Sequence, residues 1–143
     1  MTTPAIQADI ERFFHGYNDA FIAVDGARIA DFYHFPCLLL RGDGELLDVP
    51  TVEEGKALFQ RIASSYHEEG NRASIFSIVE NAAIGGRSVL ATLDWTLQRE
   101  DGSAIRGWRQ SYNLVSVNGG WHIVLSTFHI QSMRSRPADR AET

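Results

Sequence analysis

Apolar side chains recur at helical spacing in three segments of the first half of the chain. The first segment runs from Ala5 to about Val24, after Thr3-Pro4, a capping hydroxyl followed by a proline at the first helical position. A short second helix is predicted from Ala27 to about His34, where Pro36 closes it. The third helix begins with the capping-box spacing of Thr51-Val-Glu-Glu54 and ends near residue 68.

The pattern elsewhere has the period of two that is typical of strands. Cys37–Arg41 and Glu45–Val49 are predicted to form a hairpin ahead of the third helix. Glycine turns at Gly85-Gly86, Asp101-Gly102 and Asn118-Gly119 divide the second half of the chain. The strands that they separate are Ala73–Ile84, Arg87–Arg99, Ala104–Val117 and Trp121–Gln131. Strands of this length need bulges or strong curvature to stay compact.

This order of elements predicts an α+β fold. A strongly curved, mainly antiparallel sheet is expected to wrap around three N-terminal helices as a cone, whose open end makes a pocket. The 143 residues fit one domain, predicted to span residues 1–131. Residues 132–143 are polar, charged and aperiodic, which predicts a flexible tail.

Composition narrows the range of functions. The net charge is −5 and the basic residues are not gathered into an extended patch, which argues against nucleic acid as a partner. No apolar stretch approaches the roughly 20 residues of a membrane span, and the N-terminus lacks a secretory pattern, so a cytoplasmic location without membrane contact is expected. The histidines lack the spacing of a metal site, Cys37 is the sole cysteine, and nucleotide-binding glycine motifs are absent. Neither a metal nor a cofactor is predicted.

The order helix, helix, strand pair, helix and long meander, with Gly119-Gly-Trp-His-Ile123 opening the last strand, resembles the nuclear transport factor 2-like (cystatin-like cone) superfamily. The resemblance covers about Ala5 to Gln131 and includes Tyr17 in the first helix and Tyr33 near the end of the second. It implies the cone fold expected above. The superfamily includes ketosteroid isomerases, polyketide cyclases, dehydratases, epoxide hydrolases and non-catalytic binding subunits, so the fold leaves the function open.

The ketosteroid isomerase branch implies roles for three positions. Tyr17 stands where the tyrosine of the oxyanion hole would be. The match places the catalytic base at or near Arg41 and the second acid near Asn113. An arginine cannot abstract a proton at neutral pH, whereas Asn113 can still donate a hydrogen bond to an oxyanion. Steroid isomerisation is therefore disfavoured, and Tyr17 is either a functional hydroxyl or a core aromatic residue.

The strand Ala104–Val117 has one polar and one aromatic face. The polar face carries Arg109, Ser111 and Asn113, and the other carries Trp108, Gln110, Tyr112 and Leu114. If the polar face looks into the cone, the pocket suits an anionic or carbonyl-bearing ligand; if the aromatic face does, the pocket is apolar. The isomerase-like register favours the polar face as the ligand-binding one.

Two further side chains are candidates for acid–base chemistry. Asp94 lies on the polar face of its strand, as either a base opposite Tyr17 or a solvated partner of an arginine. His129 is the best histidine candidate for a general base, and the alternative for it is a packing or interface role. Two functions stay open: a cofactor-free isomerase, lyase or cyclase that uses these groups, and a non-catalytic dimeric module that binds a ligand or a protein. A homodimer through the convex sheet face is expected, because the last strands carry apolar residues on both faces. The residues considered for that interface are Trp108 with Tyr112, or Trp121 with Leu125.

Overall fold

The computed structural model describes residues 3–129, so the predicted tail and the predicted end of the last strand lie outside the described residues. The helices are α1 Pro4–Ile22, α2 Gly26–Ala30 and α3 Val52–Glu69. The strands are β1 Tyr33–Leu40, β2 Leu46–Val49, β3 Ile75–Ala83, β4 Ser88–Gln98, β5 Ala104–Val117 and β6 Gly120–Phe128. The order of helices and strands is the predicted one.

Local capping defines the ends of the two long helices. The Thr3 hydroxyl accepts a hydrogen bond from the Ile6 amide at 3.2 Å, just before α1. At α3, the Thr51 hydroxyl accepts one from the Glu54 amide at 3.2 Å and donates one to the Glu54 carboxylate at 3.2 Å. Gly70 ends α3 with φ at +113°, in the left-handed region that favours glycine. The predicted start of the third helix at Thr51 is confirmed, with the Thr51 hydroxyl as its cap.

The second helix is shorter than predicted. It ends at Ala30, and Tyr33 and His34 already belong to β1, so the predicted helix end at His34 is wrong. The cause is a long-range pairing: the Ile123 amide donates to the Phe32 carbonyl at 2.9 Å, and Tyr33 pairs with Ile123 of β6. Pro36 is tolerated within the strand, because the β1–β6 register shifts between residues 33 and 38.

The six strands form one curved, unclosed sheet in the order β2-β1-β6-β5-β4-β3. Strands β1 and β6 run parallel, and the other neighbouring strands are antiparallel. Register shifts interrupt the β3–β4, β4–β5 and β5–β6 ladders. These are the irregularities expected for long strands that must bend. The α+β cone is confirmed.

The helices cover one face of the sheet and bury the apolar side of β4 and β5. Ile10 and Phe14 of α1 are fully buried, and the ring centroids of Phe14 and Tyr112 are 4.9 Å apart. On the other side of the core, Phe59 of α3 stacks on Tyr33 of β1 with centroids 4.4 Å apart. The two contacts hold α1 and α3 over the concave face and leave a space between them.

Candidate functional site

A cavity lies inside the cone, between α1, α3 and the concave face of the sheet. Its walls come from α1, β1, α3, β4, β5 and β6, and most of the side chains are aromatic or aliphatic. The cavity volume is about 40 Å³. That is room for a few water molecules, since one water needs roughly 10–15 Å³ of such space.

Hydroxyl and indole groups form short hydrogen bonds in the wall of this cavity. The phenol oxygens of Tyr17 and Tyr33 are 2.7 Å apart, and the indole of Trp95 donates to the Tyr112 phenol at 2.8 Å. Burial, and next the neighbouring phenol of Tyr33, raise the pKa of Tyr17 well above its usual value. Burial is also the main reason why the pKa values of Tyr33 and Tyr112 are raised. These groups are therefore neutral hydrogen-bond donors and acceptors at ordinary pH.

Two amide side chains also line the cavity, with different partners. Asn18 donates to the Ser74 carbonyl at 2.8 Å and accepts from the Ser74 hydroxyl at 2.6 Å, so it ties α1 to the start of β3. Gln110 is buried, and its carbonyl oxygen accepts from the indole of Trp108 at 2.9 Å. Because that oxygen is already bonded, the amide nitrogen of Gln110 is the group that can meet a ligand.

The entrance to the cavity has an aromatic rim formed by Tyr66, Trp108 and Phe128, all partly exposed. Ring centroids are 5.4 Å apart between Tyr66 and Trp108, and 6.1 Å apart between Trp108 and Phe128. The Arg106 guanidinium lies 5.8 Å from the Tyr66 ring and 5.1 Å from the Trp108 ring, and it makes two hydrogen bonds of 2.7 and 3.0 Å to Glu69. Burial raises the pKa of Tyr66 to about 12.

The aromatic face of β5, rather than its polar face, looks into the cone. Trp108, Gln110 and Tyr112 line the cavity, whereas Arg109 and Asn113 alternate with them on the opposite face. The expectation that the polar face lines the pocket is wrong. The physical reason is that α1 packs on the apolar side of β4 and β5, and strand alternation then directs the polar side chains outward.

On this outer face, the polar residues of β5 contact one another and their neighbours. Arg109 makes two hydrogen bonds to Asp94, at 2.8 and 2.9 Å. The Ser111 hydroxyl is 2.7 Å from both the Thr92 hydroxyl and the ring Nε2 of His129. Asp94, Arg109 and His129 line an open groove beside Gly107.

Asn113 also lies on the outer face, where its amide donates to the Ser88 hydroxyl at 3.0 Å and to the Val89 carbonyl at 3.2 Å. Of the six side chains that the sequence singled out, Tyr17 therefore reaches the cavity. Asp94, Arg109, Ser111 and His129 meet elsewhere, and Asn113 helps to pair β4 with β5. Sequence reasoning did not single out Tyr33 or Trp95 for the cavity, and it considered Tyr112 only on the alternative, aromatic face of β5. The apolar alternation of β4 was the signal that could have indicated Trp95.

Residues 3–129 contain neither a metal-binding cluster nor a membrane-spanning helix. That part of the chain contains no group of three or more histidine, cysteine, aspartate or glutamate side chains placed to hold a metal ion. None of its helices combines the length and the apolar character needed to cross a bilayer. Cys37 is buried, and burial raises the pKa of its thiol to about 12, so it remains protonated.

A family model described as NTF2-like protein (DUF6841) matches residues 8–130 of the chain. The chain belongs to this family. No protein of curated function shows significant similarity to this NTF2-like protein. The family assignment agrees with the resemblance found in the sequence.

Solved structures resemble the NTF2-like protein over most of its length. A domain of unknown function with a cystatin-like fold from Nostoc punctiforme PCC 73102 is 17% identical, with a TM-score of 0.71, and the alignment covers 99% of this chain and 84% of that one. An NTF-2 like protein of unknown function from Shewanella oneidensis MR-1 is 15% identical, with a TM-score of 0.69, covering 86% and 98%. A ketosteroid isomerase-like protein from Erwinia carotovora atroseptica is 16% identical, with a TM-score of 0.61, covering 85% and 93%. At these identities the likeness shows the cone fold alone.

Proposed function

We propose that this NTF2-like protein binds a small molecule inside the cone, and that the part of the ligand within the cavity is uncharged and mainly apolar. The observation that carries the proposal is the Tyr17–Tyr33 phenol pair in an otherwise aromatic wall, with oxygens 2.7 Å apart. Aromatic and aliphatic walls with a few polar groups are typical of small-molecule sites.

The polar groups of the cavity suit a carbonyl or hydroxyl oxygen. One phenol of the Tyr17–Tyr33 pair donates to the other, so at most one of these two O–H groups can donate a hydrogen bond to it, together with the Gln110 amide. Within residues 3–129, no carboxylate, imidazole or amine is among the side chains that line the cavity. An ionised group placed deep in the cone would therefore be without a compensating charge, which is costly. The anionic ligand expected from Arg109 loses its support, and a carbonyl-bearing ligand keeps it.

Entry of a ligand requires the rim to move. The cavity volume of about 40 Å³ is far below the roughly 300 Å³ of the smallest usual ligand pockets. The half-buried rings of Tyr66, Trp108 and Phe128 are the side chains at the entrance that can turn to enlarge it. We therefore propose that binding opens the rim, while the buried phenols stay in place.

A direct test uses N-phenyl-naphthylamine, a neutral apolar dye that fluoresces when it leaves water. We expect saturable binding to the wild type and weaker binding to Ile62→Phe, because Ile62 of α3 lines the cavity and the larger ring takes up its space. Ile84→Phe is the matched control, because Ile84 is 57% exposed and does not line the cavity. Equal binding to both variants would place the dye outside the cone and contradict the proposal.

A cofactor-free isomerase, lyase or cyclase is the second candidate function. It is favoured by Tyr17, whose neutral phenol could donate to the oxyanion of an enolate-like intermediate. Because no basic side chain of residues 3–129 lines the cavity, water or hydroxide would have to take the proton from carbon. Catalysis is tested with a panel of ketones in deuterated water, in which NMR measures deuterium exchange at the carbon next to the carbonyl. Exchange that is saturable and lost in Tyr17→Phe supports catalysis; exchange equal to that of buffer supports binding alone.

We propose in addition that a second copy of the chain covers the outer sheet face. Leu90 of β4 and Leu125 of β6 flank Asn113 of β5 on that face, and Leu90 is 43% exposed. Trp108 and Tyr112, considered for this interface from the sequence, belong to the cavity wall instead, and Trp121 packs against the core.

A cytoplasmic location remains a prediction.

A further inference from the structure

The entrance to the cavity carries positive charge from two arginines. Strand alternation places both there: Arg106 is two residues before Trp108 in β5, and Arg41 is two residues beyond Leu39, at the end of β1. Trp108 and Leu39 both line the cavity. Each arginine is therefore two residues away from a side chain that faces the cavity, on the same face of the sheet. Both lie just beyond the end of the apolar wall.

Contacts around Tyr66 support this position for Arg41. The positive charges of Arg106 and Arg41 both lower the pKa of the Tyr66 phenol, against the larger effect of burial. Next to Arg41 in the chain, the Cα of Gly42 faces the side chain of Phe128, and a Cβ built on it would lie 4.0 Å from the Phe128 Cβ. Arg41 thus follows β1 on one side of β6, whereas Arg106 belongs to β5 on the other side of β6.

The balance of charge at the rim is positive. Glu69 follows Tyr66 by three residues on α3 and takes two hydrogen bonds from Arg106, through Nε and one terminal nitrogen. Among residues 3–129, the other terminal nitrogen of Arg106 has no hydrogen-bond partner and can donate to a ligand. Arg41 is exposed and has no ion-pair partner among residues 3–129. The whole chain has a net charge of −5, so the positive charge of the rim is a local feature that the overall charge does not explain.

The geometry points to an amphipathic anion as the ligand, with its apolar body in the aromatic cavity and its acidic group at the rim between Arg41 and Arg106. This inference rests on the proposed binding function and adds the charge of the ligand to it. The acidic group is a carboxylate, sulfate or sulfonate, since each offers several oxygens to guanidinium donors. Its position at the rim keeps the ionised group in contact with water, while the body reaches the phenols of the cavity wall.

Two dyes that share one ring skeleton but differ in charge can distinguish binding of the apolar body from recognition of the acidic group. Anilinonaphthalene sulfonate carries a sulfonate on the skeleton that N-phenyl-naphthylamine presents without charge. We expect the sulfonate dye to bind the wild type more tightly than the neutral dye, and the two dyes to displace each other. Raising the salt concentration is expected to weaken the sulfonate dye alone, because exposed charges are screened.

Substitutions at the rim then show which arginines cause the preference for the sulfonate dye over the neutral dye. Arg41→Gln and Arg106→Gln are each expected to lower the preference for the sulfonate dye over the neutral dye by roughly two- to fivefold, as for a partly exposed charge pair. Arg106→Lys keeps the charge and is expected to retain most of the preference. Arg109→Gln, on the outer face, is the matched control and should bind both dyes as the wild type does.

The outcomes distinguish this inference from the proposed function. If the neutral dye binds in the cavity and the sulfonate dye binds no more tightly than it does, the ligand is not an anion and the inference is overturned. A preference that Arg109→Gln removes as fully as Arg41→Gln does would overturn it too, by placing the charge recognition on the outer face. If neither dye binds, the proposed binding function itself fails.

Discussion

The phenol oxygens of Tyr17 and Tyr33 lie 2.7 Å apart inside the cone, although the residues belong to α1 and β1 and are separated by 16 positions in the chain. Both side chains are almost completely buried, and each phenol satisfies part of the hydrogen-bonding capacity of the other. The pair therefore joins the first helix to the sheet and presents hydroxyl groups to the cavity.

Replacing either phenol is expected to cost stability. Tyr17→Phe and Tyr33→Phe should each lower the free energy of unfolding by about 1–2 kcal/mol, because the remaining buried hydroxyl loses a partner. The double variant should lose less than the sum of the two. Urea denaturation measures all three, with Tyr66→Phe as a control whose hydroxyl has no hydrogen bond among residues 3–129. Additive losses would show that the two hydroxyls are not coupled.

Alkaline pH is expected to destabilise the fold through its tyrosines. The pKa values of Tyr17, Tyr33 and Tyr112 are raised above 10.0 by burial, and that of Tyr66 is raised to about 12. Their contribution to stability is full below the unfolded-state pKa, near 10, and is lost as pH rises through the folded-state values, because the unfolded chain releases these protons first. Phenolate absorbance should stay low at pH 10 in the native protein and rise when urea unfolds it. An ordinary titration curve in the native state would contradict the burial of these phenols.

Arg109 is expected to matter little to the ligand. Its hydrogen bonds to Asp94 lower the pKa of that carboxyl, whose share of stability is present above the unfolded-state value of 3.8 and is lost as pH falls below it. Arg109→Ala should therefore move the Asp94 titration, followed by NMR, toward its ordinary range. Dye binding in the cavity should not change. A large loss of neutral-dye binding would mean that the polar face of β5 contributes to the pocket after all.

Gly26 is required by the close approach of α2 to α3. A Cβ at this position would lie 2.6 Å from the backbone nitrogen of Gln60. Overpacking against backbone typically costs about 1–3 kcal/mol, which exceeds the roughly 1 kcal/mol that alanine gains over glycine in a helix. Gly26→Ala should lower the thermal midpoint, whereas Gly86→Ala, in a turn with nothing within 4 Å, should not. Equal midpoints for the two variants would show that the helices can separate without cost.

Self-association tests the proposed use of the outer face. At micromolar concentration, sedimentation should give twice the chain mass, since Leu90 and Leu125 would otherwise stay in water. Leu90→Asp should shift the protein to monomer without unfolding it, because this side chain is already 43% exposed in the single chain. If the wild type sediments as a monomer, the proposed dimer is wrong.

The helices, the strands and their order can be predicted from the sequence, because the signals for them are local. Thr51 meets Glu54 within one turn of helix, Gly70 ends that helix through its own φ angle, and strand alternation needs only neighbouring residues. Alternation also divided β5 correctly into a polar and an aromatic face. It could not say which of the two faces the helices would cover.

That choice was made by tertiary structure, since it depends on contacts between residues far apart in the chain. Phe14 packs against Tyr112, and this contact turns the aromatic face of β5 inward and carries Arg109 to the outside. The parallel pairing of Tyr33 with Ile123 likewise converted a predicted helix end into the start of a strand. Local patterns limit the faces a segment can have, and burial against distant partners decides which face becomes the wall of the cavity.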